Sequence, residues 1–371
     1  MRLLFSIIIS YLLAVNLSFA DTSSVSTRIV GGEAADDGEH DYYVALMAKY
    51  SWAGGYDYYL MCGGTYLGDG FVVTAAHCVN DYGDSDELYL LVGNYSDDMA
   101  YENCSGTGMS YSCYSSDTND SEDYTGYTVY TGDESAIYTV TGANITVHED
   151  YTGTNDDYSD DIAIIQLDST PTNATLALPS ADTFTTLAEA GEEDSVLVIG
   201  HGDTLSDSDT STYDTSPQLM EVYLTPYEDS VCEKYWNGPW YSVYDGDSMA
   251  CAGDVSQDSC SGDSGGPLLY EADATLLGIV SWGSTLCGSD AGSYSAYTDV
   301  YQYVDWVASV IESASESDAV AAASTASVTA SEETADSSDV DSTEVSTGSL
   351  DGFILFTMLL LLSRRRLLLK L

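Results

Sequence analysis

Asp258-Ser259-Cys260-Ser261-Gly262-Asp263-Ser264-Gly265-Gly266-Pro267 is the stretch on which the reading of this chain turns. Glycines on both sides of Ser264 let the backbone turn sharply and bring N–H groups close to a bound oxygen. The two donors would be the amides of Gly262 and Ser264, with the Ser264 hydroxyl between them. A glycine-rich polar turn without chemistry has the same composition. A histidine and an aspartate elsewhere in the chain therefore decide between the two readings.

The ends of the chain differ from its middle. Met1 to Ala20 carries a lone Arg2, an apolar run from Leu3 to Leu17, and small residues at Ser18 and Ala20. That is the pattern of a secretory signal cut after Ala20; a membrane anchor is the alternative, for which the run is short and broken by Ser10 and Asn16. Secretion places the eight cysteines in an oxidising compartment, where an even count argues for four disulfides over thiols or metal ligands. No Cys-x-x-Cys pair occurs, which argues against zinc, and no metal site is expected.

The formal charge is −53, and between Ile29 and Glu312 the only cations are Lys49 and Lys234. Phosphate binding needs clustered Lys and Arg, so nucleic acid is excluded as a partner. Such a surface repels itself at low salt, which dissolved ions screen. A saline habitat and acidity kept for solubility explain it equally well.

From Tyr42 to Val79 short apolar runs separated by glycines read as strands. Within them Cys62-Gly63-Gly64-Thr65 leads to Val72-Val73-Thr74-Ala75-Ala76-His77-Cys78, and farther on Ser159-Asp160-Asp161 opens the apolar run Ile162 to Leu167. With the Ser264 stretch, these segments resemble the trypsin-like serine proteases over Ile29 to about Glu312. The resemblance implies an all-β fold of two packed six-stranded antiparallel barrels, followed by a C-terminal helix over Thr298 to Ile311. The active site would lie between the barrels. Ser264 would be the nucleophile, His77 the general base, and Asp161 the residue that orients the imidazole, with the Gly262 and Ser264 amides as the oxyanion hole. Asp160 is the neighbour most easily mistaken for Asp161.

Further matches follow from the same resemblance. Arg28-Ile29-Val30-Gly31-Gly32 is similar to an activation junction, in which cleavage after Arg28 frees an α-amino group at Ile29 that pairs with Asp263. Asp258 would form the floor of the pocket for the side chain before the cut bond, selecting Arg or Lys. Ser281-Trp282-Gly283 would hold the substrate backbone. The implied disulfides are Cys62–Cys78, Cys232–Cys251 and Cys260–Cys287, and Cys104–Cys113 is read as a local staple. Two departures stand out: Ser295 where the trypsin branch has glycine, narrowing the pocket, and His201 where the family has tryptophan. His201, His40 and His148 are read as structural.

The expected organisation is a signal peptide (1–20), a short propeptide (21–28), the protease domain (29–312) with an acidic insert at about 95–142, a linker (313–349) and a tail (350–371). The insert reads as a solvated surface loop, with a calcium site built from its carboxylates as the lesser alternative and otherwise no cofactor. Ser313 to Ser349 is a Ser/Thr/Ala/acidic stretch without aromatics or proline, expected as a disordered stalk. Phe353 to Leu362 followed by Arg364-Arg365-Arg366 resembles bacterial glycine-plus-arginine sorting tails, removed during export; a permanent anchor is its competitor. The expected protein is a secreted, monomeric endopeptidase acting on proteins or peptides, with transient membrane association through the tail. A catalytically silent homologue used as a surface binding or adhesion module is the alternative.

Overall fold

The computed structural model describes residues 29–332 apart from 37, 53–54, 106–111, 115–124, 154–157, 204–214, 240–242, 285–286 and 289–293; for residues 52, 101–105, 112–114, 125–127 and 317–332 only the backbone is described. The signal, Arg28, and the tail lie outside the described residues. In chain order the strands are β1 (Glu33–Ala34), β2 (Tyr43–Trp52), β3 (Gly55–Gly68), β4 (Phe71–Thr74), β5 (Glu87–Val92), β6 (Met99–Ser105), β7 (Ser112–Tyr114), β8 (Thr125–Tyr130), β9 (Tyr138–Thr141), β10 (Ile145–Val147) and β11 (Ala163–Gln166). They continue with β12 (Val196–Gly200), β13 (Met220–Tyr227), β14 (Met249–Gly253), β15 (Pro267–Tyr270), β16 (Thr275–Trp282) and β17 (Ser295–Asp299). Three α-helices are described: α1 (Thr183–Ala190), α2 (Asp229–Trp236) and α3 (Val300–Glu332).

The strands form two antiparallel barrels, as the resemblance implied. The first runs β10-β11-β4-β3-β2-β5-β9 and is nearly closed. The second runs β13-β12-β15-β16-β17-β14 and closes because β14 pairs back onto β13, with β1 added at the other end of β13. Val44, Leu46, Val72, Leu90 and Ile164 fill the first interior, and Val198, Leu224, Leu268, Val280 and Tyr297 the second. Each such side chain contributes about 1.5–3 kcal/mol when fully buried. The segment after β1 is tied to the second barrel by His40 Nε2, 2.5 Å from Glu221 Oε2.

The insert differs from a loop in its described parts. β8 adds to β3 through Tyr58↔Tyr130 and Tyr59↔Val129, and β6 pairs with both β8 and β7. Alternating β-branched and aromatic residues in Thr125-Gly126-Tyr127-Thr128-Val129-Tyr130 suit that edge. Cys104 and Cys113 are register partners; their side chains, like the carboxylates of a calcium site there, lie outside the described residues.

Three expected disulfides are present among the described residues: Cys62–Cys78, Cys232–Cys251 and Cys260–Cys287. Tyr303 and Val307 of α3 are buried, and Trp306 and Val310 pack against them as the helical period predicts. The helix continues to Glu332, through residues whose composition argued for a stalk. That segment is rich in alanine and free of glycine and proline, which favours helix continuation. By its contacts the chain divides into residues 1–315 and 316–371. Among the described residues no helix is long and apolar enough to cross a membrane.

Candidate active site

His77 sits in a short 3₁₀ turn, Ala76–Cys78, directly after β4, and the Cys62–Cys78 disulfide fastens that turn to β3. Asp161 lies just before β11, which pairs with β4, so sheet register brings the two together. The Asp161 side chain is fully buried. Its Oδ1 accepts the His77 backbone N–H at 2.8 Å, and its Oδ2 lies 2.8 Å from His77 Nδ1. Ser281 Oγ donates to the same Oδ2 at 2.5 Å, and Thr298 Oγ1 donates to the Asp161 carbonyl at 2.7 Å. A carboxylate with this many donors holds the imidazole with its Nδ1–H toward Asp161, and leaves Nε2, 3.7 Å from Cys78 Sγ, as the nitrogen able to accept a proton. Burial alone would lower the His77 pKa, but the hydrogen bond and charge of Asp161 hold it above the ordinary histidine value. Asp160 points elsewhere, accepting from Tyr303 Oη at 2.8 Å.

Ser264 comes from the second barrel and is wedged against the first. Its carbonyl accepts the Gly63 N–H at 2.7 Å. Gly265 (φ +79°) lies so close to the strand carrying the histidine that an added Cβ would be 2.3 Å from Thr74 Oγ1 and 3.3 Å from the Ala75 nitrogen. The hydroxyl-bearing residue is thus locked beside the segment leading into His77. No hydrogen bond joins Ser264 Oγ to His77 Nε2 among the described residues; in uncomplexed sites such bonds are commonly long and tighten when substrate enters. The Gly262 and Ser264 N–H groups have no intramolecular partner among the described residues, whereas those of Asp263, Gly265 and Gly266 do.

Asp263 faces away from this surface. It is fully buried, accepting the Gly202 N–H on Oδ1 (2.7 Å) and the Cys260 N–H on Oδ2 (2.8 Å). Burial pushes its pKa up to about 7. A Cβ on Gly200 or Gly202 would lie 2.1 or 2.5 Å from that carboxylate, so both must be glycine. Ile29 is buried in the second core, and Val30 bridges to Asp258, whose N–H donates to the Val30 carbonyl at 3.2 Å. His201, buried and held by the Ser216 carbonyl at 2.9 Å from Nδ1, has its pKa lowered to about 4 by burial.

Asp258 is fully buried, near enough to Tyr297 that its charge, after burial, raises that phenol's pKa. Ser295 is buried against Gly283: a Cβ added to Gly283 would be 2.6 Å from Ser295 Oγ. Ser281 turns its hydroxyl toward Asp161, a contact that the sequence reading had not foreseen. Also missed were Tyr158, stacked on Trp282 at 5.2 Å between ring centroids, and Trp236, edge-on to it at 4.7 Å. The position of Tyr158, three residues before Asp161, was the available signal for the first. The cysteine pair Cys62 and Cys78 beside His77 is a disulfide, which removes it as a metal-ligand set.

A family model described as Trypsin matches residues 29–120 and 103–307. Anionic trypsin of Bos taurus is 31% identical over 305 residues, spanning 80% of this chain and 95% of that protein. Snake venom serine protease 3 of Protobothrops jerdonii is 28% identical, spanning 82% of this chain and 94% of its own length. Coagulation factor IX of Oryctolagus cuniculus is 28% identical, with coverage of 77% and 86%. Among solved structures, neuropsin, a serine protease expressed in the limbic system of mouse brain, superposes with a TM-score of 0.52 at 22% identity, covering 76% of this chain and 98% of that one.

Proposed function

The chain belongs to the trypsin family of serine proteases, and on that premise we propose that it is a secreted endopeptidase that hydrolyses peptide bonds after Arg or Lys. Ser264 Oγ attacks the peptide carbonyl and passes its proton to His77 Nε2. Asp161 stabilises the imidazolium, and the Gly262 and Ser264 amides receive the oxyanion. Collapse releases the amine with the proton from His77, and water then repeats the sequence on the acyl-enzyme. The observation that carries this reading is the buried Asp161 carboxylate, bound to both the backbone and ring of His77 and beside the loop with two open amides.

Basic specificity is supported by the buried Asp258, since a buried carboxylate favours a cationic side chain. Activation by cleavage after Arg28 is supported by Asp263, a buried acid with two hydrogen bonds and a raised pKa, which an added ammonium at Ile29 would stabilise. Export directed by residues 1–20 and transient membrane association through residues 350–371 belong to the same proposal.

The test is labelling by a fluorophosphonate. The protein cleaved after Arg28 should be modified at Ser264, and a Ser264→Ala variant should not. Absence of labelling in the cleaved protein would leave the silent binding module as the reading. A peptide library would then read the residue before the cut.

A further inference from the structure

We infer that the insert carrying β6–β8 is a positioning element for the oxyanion loop, acting through a part-buried hydroxyl pair, Thr128 and Thr215. The inference rests on the roles proposed above for Gly262 and Ser264.

Thr128 lies on β8 and is 1% exposed. Its backbone N–H donates to Thr215 Oγ1 at 3.1 Å, and the two hydroxyls are 2.9 Å apart. Thr215 lies in the connection between β12 and β13, where it forms an isolated bridge to Asp203. The Ser216 N–H donates to the His201 carbonyl at 2.9 Å, and His201 Nδ1 is 2.9 Å from the Ser216 carbonyl. These two short segments form a wall against which the oxyanion loop rests. The Asp203 N–H donates to the Ser261 carbonyl at 2.6 Å, and the Gly202 N–H to Asp263 Oδ1 at 2.7 Å. Between them Gly262 (φ +99°) presents its α-carbon to the wall: a Cβ there would be 3.0 Å from Gly202 Cα and 3.3 Å from Thr215 Cγ2. A second tether lies at the other end of the insert, where Ser96 Oγ accepts the Leu219 N–H at 2.8 Å.

The physical consequence follows from burial and tolerance. Thr128 itself is buried, so losing the Thr215 hydroxyl takes away the partner of its N–H and loosens the contact between the two segments. Gly262 has no side chain of its own to fix it, so the wall sets where its amide points. Oxyanion donors act only within a narrow geometry, and a displacement of about 1 Å costs on the order of 10²-fold in rate. The insert thus reaches the chemistry through the Thr128–Thr215–Gly262 contacts without touching substrate.

The experiment uses the full chain cleaved after Arg28, with Thr215→Val, Thr215→Ser and Thr128→Val variants. It compares kcat and KM on a peptide amide, the affinity for a peptide boronate that binds as a tetrahedral adduct, and the affinity for the same peptide without boron. Thr215→Val should lower kcat and boronate affinity by about ten-fold, with KM and boron-free affinity within about two-fold. Thr215→Ser, which keeps the hydroxyl, should recover most of the loss, and Thr128→Val, which keeps the backbone N–H, should fall between. Should Thr215→Val fail to fold, Thr128→Val carries the test. Lower thermal stability with kcat and boronate affinity unchanged overturns the inference, as does an equal loss for both peptides. If the parent protein itself is not labelled at Ser264, the underlying assignment fails instead.

Discussion

The Ser281 hydroxyl and the Asp161 carboxylate are joined by a 2.5 Å hydrogen bond that crosses from β16 of the second barrel to a residue two positions before β11 of the first. Thr298 of β17 makes a parallel link to the Asp161 carbonyl. The carboxylate that orients His77 is therefore held by both barrels. A hydrogen bond to a charged group contributes about 1.5–3 kcal/mol, so Ser281→Ala should lower kcat/KM by about 10- to 100-fold. Asp161→Asn should cost about 10⁴-fold through the wrong imidazole tautomer. Steady-state kinetics on a peptide amide checks both, and an unchanged rate in Ser281→Ala would show the link to be incidental.

The pH profile follows from His77. Its pKa is raised by Asp161 against the lowering effect of burial, and the general base must be neutral to accept a proton. Activity should therefore be present at higher pH and lost as pH falls, with the acid limb of kcat/KM above the ordinary histidine value of about 6.5. A limb at or below that value would contradict the Asp161–His77 geometry.

Asp263 should make the uncleaved protein sensitive to pH in a different sense. Its folded pKa of about 7 lies above that of an unfolded aspartate. The folded state thus holds the proton more tightly, and this contribution is complete below about pH 4 and lost as pH rises through 7. Thermal melts of an Arg28→Gln protein should show a fall over that window, on the order of a few kcal/mol, that Asp263→Asn removes. Parallel profiles in the two proteins would refute the assignment.

Ser295 packs against Gly283, and in the proposed pocket its side chain would take space from a wide guanidinium. Ser295→Gly should raise kcat/KM for Arg substrates by about ten-fold and for Lys substrates less, because small changes in pocket volume are worth about 1–3 kcal/mol. Equal gains on both substrates would show that the hydroxymethyl group does not shape the pocket.

Self-digestion should stop after activation. Lys49 lies within β2, paired with Tyr58 and covered by the Tyr56 ring 3.8 Å from its Nζ, and Lys234 lies in α2. A protease needs several residues free and extended, which neither site offers. Mass analysis after prolonged incubation should find a new terminus at Ile29 and none at Tyr50 or Tyr235.

What the residues determined alone is the local chemistry: the glycine turn around Ser264, the cysteine beside His77, the apolar strand after Asp161, and the strand pattern from Tyr42 to Val79. Each is written in adjacent positions, where covalent geometry and side-chain type suffice. Asp160 and Asp161 could not be separated by composition, because a carboxylate's role is set by what surrounds it. Only the fold buries one against His77 and turns the other to Tyr303. The same holds for Ser281, whose hydroxyl finds Asp161 across 120 positions of chain, and for Thr128, whose partner Thr215 lies 87 positions away in the connection between β12 and β13. An acidic, polar insert reads as a loop until the free edge of β3 offers its backbone hydrogen-bond partners, and pairing with that edge depends on contacts distant in sequence.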